Sequence, residues 1–224
     1  MNKLLTGLFL ICAWGLLPAQ APGFMGRKWS GGIEMAAFPR INLLAEETRP
    51  LRIQSRLGLD LSRVWSRRDE GGIHLTRLYS SVPYDYGIGR PRVTGTAWMN
   101  GWMMGVHYRL FPFLSRGNIA PIGLHHEIRL DYLRYHMTDQ DLRFFPDRRA
   151  DLGTFQDFAL GYGLGMSRVF QGSVRVTVGM SSGWIFQVFP ETGSRDLDYL
   201  RSIGLNRFRG YGVLNVYMRV AHLW

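Results

Sequence analysis

The stretch Gly212-Val213-Leu214-Asn215-Val216-Tyr217-Met218-Arg219-Val220-Ala221-His222-Leu223-Trp224 decides the fold. Counting back from Trp224 by two gives His222, Val220, Met218, Val216, Leu214 and Gly212. The intervening set is Leu223, Ala221, Arg219, Tyr217, Asn215 and Val213. One set is mostly apolar and the other carries Arg, Tyr and Asn. A two-residue period of this kind belongs to a strand whose two faces meet different surroundings.

Four more segments share that build. In Thr94–Leu110, Trp98, Trp102, Met104, Val106, Tyr108 and Leu110 alternate with Gly, Ala and Met, then His107 and Arg109. In Leu124–Tyr135, Leu124, Ile128, Leu130 and Tyr132 alternate with His125, Glu127, Arg129 and Asp131. Thr154–Phe170 sets Phe158, Leu160, Tyr162, Leu164 and Met166 against Asp157, Ala159 and three glycines; Val174–Phe189 sets valines, Met180 and Trp184 against Arg175, Thr177, Gly179 and Ser181. Alternation alone also fits a soluble barrel or a sandwich. The second face decides, because it is rich in Gly, Ala and Ser with single charges near its middle, as a narrow eight-stranded lumen requires. Trp29, Tyr108, Phe111, Phe113 and Phe170 near one end, and Phe144, Phe145, Phe155, Phe186 and Phe189 near the other, fit two aromatic girdles. The expected fold is all-β, a transmembrane antiparallel up-and-down β-barrel.

Seven strands are clear, near 29–38, 56–66, 93–110, 122–137, 154–170, 173–189 and 208–224. Both chain ends belong on one side of the barrel, so an eighth is needed. Asn42–Ile53 supplies it, with Gln54-Ser55 as a tight turn, although Pro50 confines that segment to an edge or bulge. The short links near 53–56, 111–121 and 170–173 then face the periplasm, and the long ones near 67–92, 138–153 and 190–207 face outward. The first outer connection, near Pro39–Ile41, is unusually short on this count.

Met1-Asn2-Lys3, the apolar run Leu4–Leu17 and Pro18-Ala19-Gln20-Ala21 read as a secretory signal peptide cleaved after Ala21, leaving residues 22–224 as the barrel domain. The run is shorter than the roughly 20 residues of a spanning helix. Cys12 lies inside it and lacks the preceding small residues of a lipoprotein site, so the mature chain holds no thiol for a disulfide or metal site. A hydrophobic content of 46% and a mean hydropathy of -0.09 would suit a soluble protein equally, but alternation hides a membrane barrel behind such averages.

A final amphipathic strand ending on an aromatic resembles the assembly signal of outer-membrane barrels, with Val216, Met218, Val220 and Trp224 as its residues. Ala21-Pro22-Gly23-Phe24-Met25-Gly26-Arg27-Lys28-Trp29, Ser55-Arg56-Leu57-Gly58-Leu59 and Asn118-Ile119-Ala120-Pro121-Ile122-Gly123 resemble the small outer-membrane barrels common in Bacteroidota, of the OmpA and OmpX type. The resemblance spans the mature chain on short motifs. It implies a membrane location and the fold, and no activity. No peptidoglycan-binding domain is expected after the barrel.

The inner face collects Glu34, Asp60, Glu127, Asp131 and Asp157 against Arg56, Arg109, Arg129, Arg175 and Arg219. Unpaired charges in a low-dielectric tube are costly, so mutual neutralisation is expected. A ring of one sign would argue for ion selectivity; the mixture argues for a salt-bridged interior. His125 and His126 point to opposite faces and cannot share a metal, and His125 with Glu127 lacks a third ligand. His107 is expected near His125. A lipid A–modifying barrel would need a Ser beside a His at the outer wall. No His-x-Ser signature occurs; Ser80, Ser81 and His74 are expected in an outer loop, with His136 near an outer rim.

The net charge of +10 comes almost wholly from Arg. For an external barrel the matching polyanion is the phosphate of lipopolysaccharide rather than nucleic acid, and Arg forks suit phosphate. Arg67, Arg68, Arg77, Arg90, Arg92, Arg148, Arg149, Arg207 and Arg209 fall in or beside the expected outer loops, with Asp69, Glu70 and Asp147 among them. The expected partners are outer-membrane lipid and lipopolysaccharide, and the barrel-assembly machinery during biogenesis; no cofactor, metal or nucleic acid is implied. Three readings stay open: a non-enzymatic barrel with a closed lumen acting through its outer loops, a narrow channel, and a lipid A–modifying enzyme.

Overall fold

The computed structural model describes residues 27–40, 52–86, 93–113, 121–139, 151–186 and 215–224. Its eight strands are β1 (Trp29–Arg40), β2 (Arg52–Val64), β3 (Asp69–Tyr86), β4 (Val93–Leu110), β5 (Gly123–Asp139), β6 (Asp151–Phe170), β7 (Val174–Phe186) and β8 (Asn215–Leu223). Each pairs antiparallel with its sequence neighbours, and β1 with β8, so the sheet closes on itself. Closure leaves no unpaired edge, which removes the main liability of a long β-sheet. At the seam Trp29 N–H donates to Trp224 O at 3.1 Å, and Trp224 N–H donates back at 3.0 Å.

The eighth strand is β3, so the expected count of eight holds but the segment that supplies the eighth strand is a different one. Residues 69–86 are not an outer loop, and residues 54 and 55 are not a turn. Gln54 and Ser55 lie inside β2, opposite Phe38 and Ala37 of β1. Pro39 pairs with Ile53 and Arg40 with Arg52, so β1 runs past the supposed short connection. Most of the expected strand 42–53 falls outside the described residues. Ladder pairing explains the difference. The long β4 needs a partner of equal length, and β3 matches it from Asp69↔Leu110 to Tyr86↔Val93.

Moving that strand reverses β2. The connections β2–β3, β4–β5 and β6–β7 share the end that holds Trp29 and Trp224. The other four connections leave from the opposite end and lie outside the described residues. The tightest turn joins β6 to β7. Gln171 (φ 49) and Gly172 (φ 67) both take the left-handed region, and Ser173 N–H donates to Phe170 O at 3.2 Å. Phe170 pairs with Val174 across this three-residue loop, and two successive positive φ values give it the tight reversal a hairpin needs.

The barrel is inside-out by the standard of a water-soluble one. Leu59 and Ile73 on the wall are 60% and 56% exposed, whereas Arg109 and Arg219 inside are 0%. Exposed aromatic residues gather toward the two ends. Trp29, Trp65, Tyr108, Phe113, Phe170 and Trp224 ring the end with the chain termini; Tyr79, Trp102, Trp184 and Phe186 stand toward the other. Phe111 and Phe155 are exceptions to the expected girdles, for both are buried inside. Phe144, Phe145 and Phe189 lie outside the described residues.

Inward-facing side chains form three tiers. Val169 and Leu223, with Val64 and Ile122 against them, fill the end near the termini, beside Phe111. Charged groups fill the next tier. Leu78, Met99, Met103, Leu133, Tyr135, Met137 and Phe155 fill the third and are all buried.

Candidate functional site: the luminal charge network

The strand period puts every second residue of each strand inside, and register decides which of these meet. Arg109 on β4 sits opposite Glu127 on β5, and its Nε donates to Glu127 Oε2 at 2.5 Å. Its Nη2 donates to Asp60 Oδ2 at 3.1 Å, and its Nη1 to Glu70. Arg129 forks onto Glu34 at 3.0 and 2.5 Å and also donates to Glu127. Arg219 reaches Glu34, Glu127 at 3.3 Å and Asp60 at 3.5 Å. Arg175 forks onto Glu70 and donates to Ser30 Oγ at 2.9 Å.

Arg109, Arg129, Arg175 and Arg219 thus meet Glu34, Asp60, Glu70 and Glu127, and the formal charge of this cluster cancels. All eight side chains are buried. Charge-assisted, forked contacts of this kind hold geometry as well as charge. Tyr217 stands between two of the arginines, with the guanidinium carbons of Arg129 and Arg219 each 5.4 Å from its ring centre. Small residues make the room. A Cβ at Gly165 would stand 2.7 Å from both the His125 ring and the Tyr217 hydroxyl. At Gly105 it would overlap the Asp131 carboxylate.

Two satellites attach to this core. His74 Nε2 lies 2.6 Å from Asp131 Oδ1. Ser62 Oγ donates to Asp60 at 2.8 Å and lies 3.1 Å from His107 Nε2. Ser62, His107 and Asp60 have the residue types of a nucleophilic triad, but not its polarity. With its proton on Asp60, Ser62 receives a hydrogen bond from Arg109 Nη1 at 3.2 Å and leaves His107 Nε2 no proton to take.

All ten charged residues expected on the inner face point inward and are buried: Glu34, Arg56, Asp60, Arg109, Glu127, Arg129, Asp131, Asp157, Arg175 and Arg219. Arg56 and Asp157 stand apart from the core, nearer the end away from the termini, and Asp157 accepts from Tyr135 Oη at 2.9 Å. Two members were missing from the sequence reading, Glu70 and His74, both carried by β3. Their spacing with Gly72 and Thr76 is the two-residue signal that would have found them.

Other expectations shift with β3. His74 is buried inside, not in a loop, and its ring is 5.9 Å from His107; His125 packs instead on Phe111 at 4.9 Å. His126 points outward to Tyr162 Oη at 2.5 Å. Arg67 and Arg68 occupy the β2–β3 turn, at the end opposite the outer loops assigned to them. Arg77 is an exposed wall residue of β3. Arg90, Arg92, Arg148, Arg149, Arg207 and Arg209 lie outside the described residues. Val216, Met218, Val220 and Trp224 share the outer face of β8, and among the described residues no three potential ligands converge on a metal position.

The fold and network define a closed eight-stranded barrel with an apolar wall and, inside, a charge-cancelled cluster of four arginines and four carboxylates. No protein-family model matches the chain, and no curated protein matches its sequence. Among solved structures it is similar to the N-terminal β-barrel domain of Pseudomonas aeruginosa OprF, at 9% identity and a TM-score of 0.46, covering 89% of this chain and 100% of that one. It is also similar to Acinetobacter baumannii CarO, at 13% identity and TM-score 0.40 over 87% and 97%. Ail, the attachment invasion locus protein of Yersinia pestis, in complex with the heparin analogue sucrose octasulfate, gives 9% and 0.40 over 88% and 98%. Likeness at this level carries no argument about function.

Proposed function

We propose that the chain is a non-enzymatic integral protein of a bacterial outer membrane, with a closed lumen and an envelope-structural or surface-binding role. Residues 1–21 are its signal peptide on this reading, and the short motifs tie it to the Bacteroidota barrels. An apolar wall with aromatic rings near both ends supports the membrane setting, because a spanning structure must satisfy its backbone internally and offer lipid its apolar face. The termini and short turns face the periplasm. On this reading the surface role belongs to the end of the barrel away from the termini, in contact with lipopolysaccharide.

The single observation that carries the closed lumen is the cancelled four-by-four charge tier lying between two apolar tiers. An ion entering there would find no field of one sign and would next meet an apolar tier that includes the buried Met103 and Leu133. Planar-bilayer recording tests this. The wild-type barrel is expected to pass no steady current, and stable single-channel steps would instead establish the channel reading.

One contact favours the enzyme reading enough to test. His136 Nδ1 lies 3.2 Å from Thr154 Oγ1 on the outer wall, a hydroxyl beside an imidazole where lipid would lie. We read it as a structural hydrogen bond. Mass spectra of lipid A from cells with wild-type and His136→Ala protein are expected to coincide; a mass difference would make the barrel a lipid-modifying enzyme.

A further inference from the structure

We propose that Arg77, Trp102 and Arg134 form a site on the outer wall that binds a phosphate of an outer-leaflet glycolipid. The site rests on the membrane reading above and is separate from the loop arginines.

Register builds it. Arg77 of β3 sits opposite Trp102 of β4, and Trp102 sits opposite Arg134 of β5. All three side chains point outward and are exposed. Neighbouring strands are about 4.8 Å apart, so the two arginine backbones stand about 10 Å from each other. A phosphate over the indole is within reach of both. The Arg77 guanidinium carbon already lies 4.6 Å from the Trp102 ring centre. Stacking of this kind orients the planar fork and leaves its N–H edge free for an anion.

Height along the wall singles out these residues. Tilted strands climb about 2.5 Å per residue, which puts Arg77 about 20 Å above the start of β3 and Arg134 nearly 30 Å above the start of β5. An apolar band is about 25 Å tall. Both arginines therefore stand at its outer margin, at the level of outer-leaflet head groups. Among the described residues neither guanidinium meets a carboxylate. Arg63 and Arg168, the other outward arginines of the wall, stack on Trp29 and Phe170 at the opposite rim. A bare cation against lipid is costly unless it reaches water or an anion.

The next row outward explains why the ligand is a glycolipid. Asn100, His136 and Thr154 lie in register there, one residue pair above the arginines. These are hydrogen-bonding side chains suited to sugar hydroxyl and amide groups, which a glycerophospholipid does not present in that density.

The test uses full-length mature barrel extracted in mild detergent and titrated in native mass spectrometry. The probes are bis-phosphorylated lipid A, dephosphorylated lipid A and phosphatidylglycerol. Bis-phosphorylated lipid A is expected to bind best, and Arg77→Gln/Arg134→Gln to weaken it about tenfold or more, the loss of at least one charge-assisted hydrogen bond. Arg63→Gln/Arg168→Gln is expected to leave it unchanged. Equal binding of the dephosphorylated form, equal binding of phosphatidylglycerol, or an undiminished double variant would each overturn the site. Heat-modifiable gel mobility confirms that every variant is folded, and a single Arg134→Lys variant, retaining the charge, is expected to keep part of the affinity. Quenching of wall tryptophans by brominated phospholipid tests the membrane reading separately. Its absence sinks that reading, while full quenching without lipid A preference sinks only the site.

Discussion

Arg109 and Glu127 stand opposite each other on β4 and β5, and Arg109 Nε meets Glu127 Oε2 at 2.5 Å inside the lumen. The pair is the hinge of the network, because Glu127 also receives Arg129 and Arg219 while Arg109 also reaches Asp60 and Glu70. Between them these two residues touch every other charge of the four-by-four tier except Glu34 and Arg175.

Removing that carboxylate charge should be among the most damaging single changes. Glu127→Gln removes a buried charge that three guanidiniums share and replaces one accepting oxygen with an NH2 donor, and a broken buried pair costs about 3–5 kcal/mol. Urea unfolding of the refolded barrel, followed by tryptophan fluorescence, is the measurement. A loss below about 1 kcal/mol would mean that water reaches the tier and that the lumen is not sealed.

Glu70 and Arg175 should behave as a coupled pair despite their separation along the chain. Arg175→Met strands part of the Glu70 charge, and Glu70→Leu strands Arg175. The double variant should lose less than the two single losses added together, with a coupling of about 1–3 kcal/mol. Additive losses in the same unfolding assay would show that the two do not meet.

Space, rather than charge, should limit Gly105. An added Cβ would meet the Asp131 carboxylate and the Leu130 carbonyl, where backbone cannot yield. Gly105→Ala is expected to cost about 1–3 kcal/mol in unfolding, as overpacking does, and to push Asp131 away from His74. An unchanged midpoint would place slack in the wall that the register does not allow.

The β6–β7 turn offers a gain. Gln171 holds φ 49 with a side chain that disfavours it. Gln171→Asn keeps the turn and suits the left-handed region better, so stability should rise by about 0.5 kcal/mol. Gln171→Val should lower it, because a β-branched residue is least able to take that conformation.

Much of the inner face was legible residue by residue. Arg129, Asp131 and Glu127 alternate with Ile128, Leu130 and Tyr132, and that spacing alone put them inside. Glu70 and His74 were not legible in practice. Their strand opens on Asp69-Glu70-Gly71-Gly72 and carries Ser80, Ser81 and Pro83, which read as a loop when no partner strand is in view. The segment with Pro50 took its place because parity demanded one more strand. Only the ladder with β4 separates the two choices, since a strand is defined by what pairs with it.

The same division holds for the closing stretch that contains β8 (Asn215–Leu223). Its period determined that Arg219 and Tyr217 face one way and Val216, Met218 and Val220 the other, because successive side chains of a strand must point to opposite faces. The partners were decided by the closed barrel. Arg129 meets Glu34 across 95 positions, Arg175 meets Glu70 across 105, and Arg219 meets Glu34 across 185. Local periodicity carries no information about such distances. They follow from register and closure, which bring eight separate inner faces to one axis and leave their charges no solvent but each other.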